Sequence, residues 1–147
     1  VRRRKNLKKL LAFNKLKGGL RLVKGIGTDI IEIKRLRLLA EKYPGKFLNK
    51  IFTQDELAYC SLRKDPFPSF AARFAAKEAV LKALGTGLAL GISWRDIEVV
   101  IQTGRGPKVF LYNKATEVAG EKGIHRILLS VSHDRDKAVA FALALGG

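Results

Sequence analysis

Hydrophobic positions along this chain change period several times, and each change marks an element. Leu20 to Ile26 reads as a first strand, broken by Gly25 and Gly27 and ending at Thr28-Asp29. Ile30, Ile33, Leu36 and Leu39 recur at helical spacing, with Lys34, Arg35, Arg37 and Lys42 mostly outward. That spacing predicts a helix over 30–41, stopped by Pro44-Gly45. A short helix is expected over 47–52, and Thr53 with Glu56 forms a capping-box pair ahead of another helix to about Leu62. Pro66 and Pro68 precede a long central helix from near Ser69 to Gly85, a residue suited to a left-handed cap. Ile97, Val99 and Ile101 alternate with Glu98, Val100 and Gln102, the mark of a strand, and the turn 103–107 returns it into 108–111. A helix over 113–121 follows, then an apolar hairpin, 126–132 with 137–145, around His133-Asp134-Arg135-Asp136. The predicted fold is α+β: a mostly antiparallel sheet carrying helices on one side, with one long central helix.

Composition narrows the class. A chain of 147 residues, 47% hydrophobic, suits one domain with a real core. No apolar run approaches the roughly 20 residues of a membrane span, so no membrane role is expected. Cys60 is the one cysteine, which excludes an internal disulfide and fits a reducing cytoplasm. The net charge of +16 is uneven: residues 1–24 hold ten Lys/Arg and no acid. Residues 1–22 are expected to be a basic, poorly ordered extension, with a single domain over 23–147. A positive surface favours anionic partners, whether nucleic acid, a phosphorylated small molecule or an acidic protein.

The central helix is where charge becomes informative. On a helical wheel Phe70, Phe74 and Leu81 share one stripe, and Ala71, Ala75, Ala79 and Ala83 allow close packing over much of the rest. Arg73 and Lys77, one turn apart, flank one edge; Glu78 and Lys82 flank the other. Charges on a helix buried on most sides need partners. An ordinary Glu78–Lys82 ion pair is one answer; a metal or anionic ligand is the other. Asp29, beyond a Gly-Ile-Gly-Thr corner, is either a cap for the next helix or a cation ligand. Two hard oxygen donors near basic residues match a magnesium ion that keeps several waters and completes its shell with phosphate. No Cys/His spacing suits zinc. The turn Gly104-Arg105-Gly106-Pro107 lacks the ending of a P-loop. His133 beside Ser132 is either a turn residue or half of a phosphate grip.

Four ordered blocks carry a resemblance. They are Gly25-Ile26-Gly27-Thr28-Asp29-Ile30; Phe52-Thr53 with Glu56-Leu57; Arg73 to Ala79 with Lys82-Ala83-Leu84-Gly85-Thr86-Gly87; and Ser130-Val131-Ser132-His133-Asp134 with Ala138-Val139-Ala140. In this order the chain, from about Val23 onward, resembles the holo-acyl-carrier-protein synthases, the small bacterial-type branch of the 4′-phosphopantetheinyl transferases. The resemblance implies a magnesium-dependent enzyme of fatty acid and lipid biosynthesis. It would move phosphopantetheine from coenzyme A to a serine of an apo acyl carrier protein, leaving adenosine 3′,5′-bisphosphate.

By motif position, Asp29 and Glu78 would hold the magnesium, and Lys82 would neutralise phosphate. Glu78, or water held by the metal, would take the serine proton. Arg73, Lys77, Ser132 and His133 would contact the nucleotide phosphates, with Gly85, Thr86 and Gly87 letting that part of the ligand lie close. Arg35, helped by Lys42, would dock the acidic carrier protein. Members of this branch resemble homotrimers with active sites shared between subunits. Ile31 stands where the broad-specificity branch has a second acid, which implies fewer protein ligands to the metal. The alternatives are a small basic nucleic-acid-binding domain and a non-enzymatic assembly subunit. The first predicts aromatics interleaved with cations on an exposed sheet and leaves Asp29 and Glu78 without a role.

Overall fold

The computed structural model describes residues 22–102 and 104–147. The expectation of a basic extension over 1–22 therefore lies, Leu22 apart, outside the described residues. The first strand, β1 (Val23–Glu32), leads into α1 (Ile33–Lys42), α2 (Lys46–Ile51) and α3 (Gln54–Ser61). The long helix α4 (Phe67–Leu84) follows, then a 3-10 turn over Trp94–Asp96 and strands β2 (Ile97–Val100) and β3 (Lys108–Leu111). Helix α5 (Asn113–Glu121) and the hairpin β4 (Arg126–His133) and β5 (Lys137–Leu145) complete the chain.

All strand pairings are antiparallel, but the sheet is split: β1-β5-β4 form one sheet and β2-β3 a second. Helix α4 lies on one face of the three-stranded sheet, and small residues set its depth. Ala138, Ala140, Ala142 and Ala144 of β5 are buried, as are Ala71, Ala75, Ala79 and Ala83 of α4. On β1 the first two inward positions, Gly25 and Gly27, are glycines. A Cβ built on Gly27 would stand 1.9 Å from the Ala79 carbonyl oxygen, and one on Gly25 would stand 1.9 Å from that of Ala83. Helix backbone thus rests on strand backbone with no side chain between, closer than any L-residue permits.

Two boundaries differ from expectation. The first strand runs on through Glu32, pairing β5 as far as Glu32↔Lys137, so the helix begins three residues later than predicted. Ile30 and Ile31 are β-branched and suit a strand as well as a helix start. The edge of β5 was there to take their hydrogen bonds, and tertiary pairing decided the matter. Consequently Ile30 faces outward at 62% exposure, and Asp29 sits within a strand rather than capping a helix. Other signals hold as read. Thr53 and Glu56 form the reciprocal capping box, and Gly85 closes α4 in the left-handed conformation.

Because the obstructing atoms at Gly27 belong to helix backbone, relief requires moving α4 as a body. Gly27→Ala is expected to lower stability by about 3 kcal/mol, the upper end of ordinary overpacking. Urea denaturation measures this; a loss under about 1 kcal/mol would mean that the helix rides farther from the strand than described.

Candidate active site

The close α4–β1 contact brings together Asp29 and Lys82, 53 residues apart in sequence. Asp29 follows Gly27 on the inward face of β1, its side chain 18% exposed. Lys82, on α4, donates to the Thr28 carbonyl at 2.8 Å and to Asp29 Oδ1 at 3.0 Å, with its side chain 51% exposed. Glu78 lies one turn earlier on the same side of α4. Its pKa is raised, first by burial and then by the negative charge of Asp29, against the pull of Lys82. Asp29 and Glu78 therefore feel one another across the helix–strand contact, and only Asp29 has an ion-pair partner among the described residues.

This donor set fits a hard divalent cation. Two carboxylates that repel each other gain from a shared positive charge, and both offer oxygen, the ligand magnesium takes while keeping water. Among the described residues no group of three or more His, Cys, Asp or Glu converges. Among the described residues, Asp29 and Glu78 are thus the carboxylates this site would offer.

A second cluster stands apart. Arg73 is buried on α4, its guanidinium 4.6 Å above the Tyr59 ring centre, and its Nε has no hydrogen-bond partner among the described residues. It lines a cavity of about 290 Å³ with Tyr59, Arg63, Pro107 and His133. Of the residues expected at the nucleotide phosphates, Arg73 and His133 line this one cavity; Tyr59 and Arg63, which carry no motif, line it with them. Ser132 adjoins a neighbouring cavity of about 200 Å³ with His133 and Ile30. Neither cavity contains Asp29, Glu78 or Lys82, so the single chain presents two separate groups of polar residues.

Lys77 corrects the expectation of a phosphate contact. Its side chain is 0% exposed. The ammonium is 2.7 Å from Glu56 Oε2 and donates to the carbonyls of Ile51 at 2.7 Å and Trp94 at 3.2 Å. No surface is left through which a nucleotide could reach it. The helical wheel placed Lys77 beside Arg73 without showing that α2, α3 and the 3-10 turn close over that edge. Glu56, legible only as a cap, also accepts from the Val99 amide at 2.8 Å. The glycine-rich end of α4 is open: Gly85 and Gly87 have positive φ, the Thr86 hydroxyl donates to the Gly87 carbonyl, and a Cβ on Gly87 would meet nothing. Arg35 and Lys42 are exposed on α1, with the exposed Leu38 between them.

Comparisons with known proteins cover the span in which these residues lie. The stretch 25–142 matches the 4′-phosphopantetheinyl transferase superfamily. The chain is 52% identical over 120 residues to the holo-[acyl-carrier-protein] synthase of Chlamydia felis, covering 82% of this chain and 95% of that protein. In structure it is similar to the Neisseria meningitidis holo-[acyl-carrier-protein] synthase, with TM-score 0.78, 36% identity, and 84% and 98% of the two chains covered. The Helicobacter pylori synthase, solved in complex with coenzyme A, superposes with TM-score 0.71 at 31% identity, covering 81% of this chain and 98% of that one. With the matched span enclosing both acids, the glycine contact that joins them and the Arg73–His133 cavity, this chain belongs to the 4′-phosphopantetheinyl transferase superfamily, in its holo-acyl-carrier-protein synthase branch.

Proposed function

We propose that this chain transfers the 4′-phosphopantetheine group of coenzyme A to a serine of an apo acyl carrier protein, with Asp29 and Glu78 holding magnesium against the coenzyme A pyrophosphate. The observation that carries the reading is the convergence of Asp29, Glu78 and Lys82 where α4 meets β1. Residues 23–147 act as one transferase domain, working in the cytoplasm; among the described residues no helix is long and apolar enough to cross a membrane. A nucleic-acid-binding domain would have no use for two opposed carboxylates.

Phosphoryl transfer needs positioning and charge neutralisation more than covalent participation by the protein. Magnesium, when bound, supplies positive charge beside the pyrophosphate oxygens. The serine oxygen forms a bond to the phosphorus that bears pantetheine, the bridging P–O bond breaks, and adenosine 3′,5′-bisphosphate leaves. Glu78, or water held by the metal, would take the serine proton. Lys82, half exposed and already 3.0 Å from Asp29, turns its ammonium to the phosphate. Arg73, with His133 and Ser132, grips the nucleotide phosphate, and the open Gly85–Thr86–Gly87 turn lets the ligand backbone approach.

Assembly as a homotrimer with shared sites is supported by two features. The sheet face away from α4 carries an exposed apolar patch, with Ile26 at 61% and Phe141 at 42% exposure beside Ile30, Val139 and Leu128. The two polar clusters, apart within one chain, complete one another if neighbours juxtapose them. Arg35, Leu38 and Lys42 form a stripe on α1, apolar at its centre and cationic at its ends, suited to an acidic helix of the carrier.

Incubating apo carrier protein with this chain, coenzyme A and magnesium should add the mass of one phosphopantetheine, and chelator or Asp29→Asn should abolish the gain. No gain with several carriers would refute the assignment. Native mass spectrometry of the same sample should read three copies of the chain. Arg35→Glu is expected to raise KM for the carrier about tenfold while KM for coenzyme A stays put, a difference of roughly 1.4 kcal/mol; an unmoved carrier KM argues against docking at α1.

The raised Glu78 pKa has a signed consequence for stability. Its ionised form weighs against folding, a penalty absent below the unfolded carboxyl pKa of about 4.3. The penalty develops as pH rises through the folded value. In buffer free of divalent ions, Glu78→Gln should be more stable than the parent at pH 7, with the gap closing on acidification. Equal midpoints at pH 7 would show that the carboxylate is unstrained.

A further inference from the structure

Lys77 and Glu56 are buried charges that the transfer chemistry does not use. Each of the three ammonium donors of Lys77 has an acceptor: Glu56 Oε2, the Ile51 carbonyl at the end of α2, and the Trp94 carbonyl in the 3-10 turn. The ammonium also lies 5.4 Å from the Phe52 ring centre. Glu56 is held in turn through both oxygens. Its Oε2 accepts from Lys77 and from the Thr53 amide at 2.8 Å, and its Oε1 accepts from the Val99 amide of β2. One ion pair thus ties α4 to α2, α3 and β2 at a single point.

Stability is a poor account of such a pair. Replacing a buried ion pair with neutral groups of similar shape is often neutral or stabilising. What three directed acceptors add is orientation. On its other side α4 rests on Gly25 and Gly27, a smooth backbone contact that sets distance but offers little against rotation about the helix axis. Lys77 supplies the missing restraint. Glu78 is the next residue, about 100° further round. A roll of about 20° would carry a side-chain tip roughly 5–6 Å from the axis through roughly 2 Å.

We propose that Lys77 and Glu56 are positioning residues whose buried ion pair fixes the roll of α4 and thereby aims Glu78 at Asp29. The proposal rests on the role given to Glu78 above. At saturating metal, removing the pair should leave coenzyme A affinity intact, because neither residue reaches the ligand, and should spoil the geometry of the two carboxylates.

The test is the double variant Lys77→Met/Glu56→Gln, which removes both charges together and strands neither. Thermal melting establishes that it is folded. Steady-state kinetics and manganese binding, read by the electron paramagnetic resonance of the free ion, are then compared with the parent. Expected are a kcat lower by about 10–100-fold, the usual range for groups that orient metal ligands, an unchanged KM for coenzyme A, and weaker manganese binding. A folded variant with parental kcat and manganese affinity overturns the proposal, as does a raised KM for coenzyme A with kcat preserved, which would mean that Lys77 reaches the nucleotide. Should the double variant not fold, Lys77→Arg keeps the charge but cannot direct three donors onto the same acceptors, and is judged by the same criteria. A parent protein that transfers nothing would instead sink the transferase assignment itself.

Discussion

Everything in this molecule hangs on the absence of two side chains. With no Cβ at Gly25 or Gly27, β1 lies directly against the carbonyls of Ala83 and Ala79. Only at that separation does Lys82 reach both the Thr28 carbonyl and the Asp29 carboxylate, and only there does Asp29 press on the ionisation of Glu78. An alanine-rich helix and alanine-lined β5 extend the same close packing across the sheet. The core gives up large side chains along this seam, and shape matching takes their place.

Helix α4 distributes its four charges by depth. Lys77 is wholly enclosed, and burial lowers its pKa while Glu56 opposes the fall. Arg73 is buried against Tyr59 with one nitrogen unsatisfied, a state that a bound phosphate would relieve. Glu78 and Lys82 stand at the rim, where charge can meet both solvent and substrate. A single helix therefore carries an internal anchor, a proposed nucleotide grip and the proposed metal edge. Cys60, by contrast, is buried with its pKa pushed up to about 11, a thiol kept inert by its surroundings.

The outer face of the three-stranded sheet makes the opposite statement. Along β5, and along β1 as far as Gly27, alternation places alanine and glycine inward, while Ile26, Ile30, Val139 and Phe141 point outward and are exposed. The proposed homotrimer would bury this face, and would explain why the Asp29 and Arg73 clusters stand apart within one chain.

Much was legible in order and type. The capping box at Thr53, the glycine stop at Gly85 and the antiparallel hairpin after Arg126 act through neighbours in sequence, so sequence alone determined them. The ordered motif blocks determined the family, because residue identity and spacing carry that information without coordinates. What lay beyond was set by partners distant in the chain. Where β1 ends depended on β5 offering its edge as far as Lys137. The fate of Lys77 depended on α2, α3 and the Trp94 turn closing over it. A helical wheel gives the direction of a side chain but not what waits there. Whether a cation meets solvent, phosphate or a buried carboxylate is decided by the elements packed against it, and that belongs to tertiary structure.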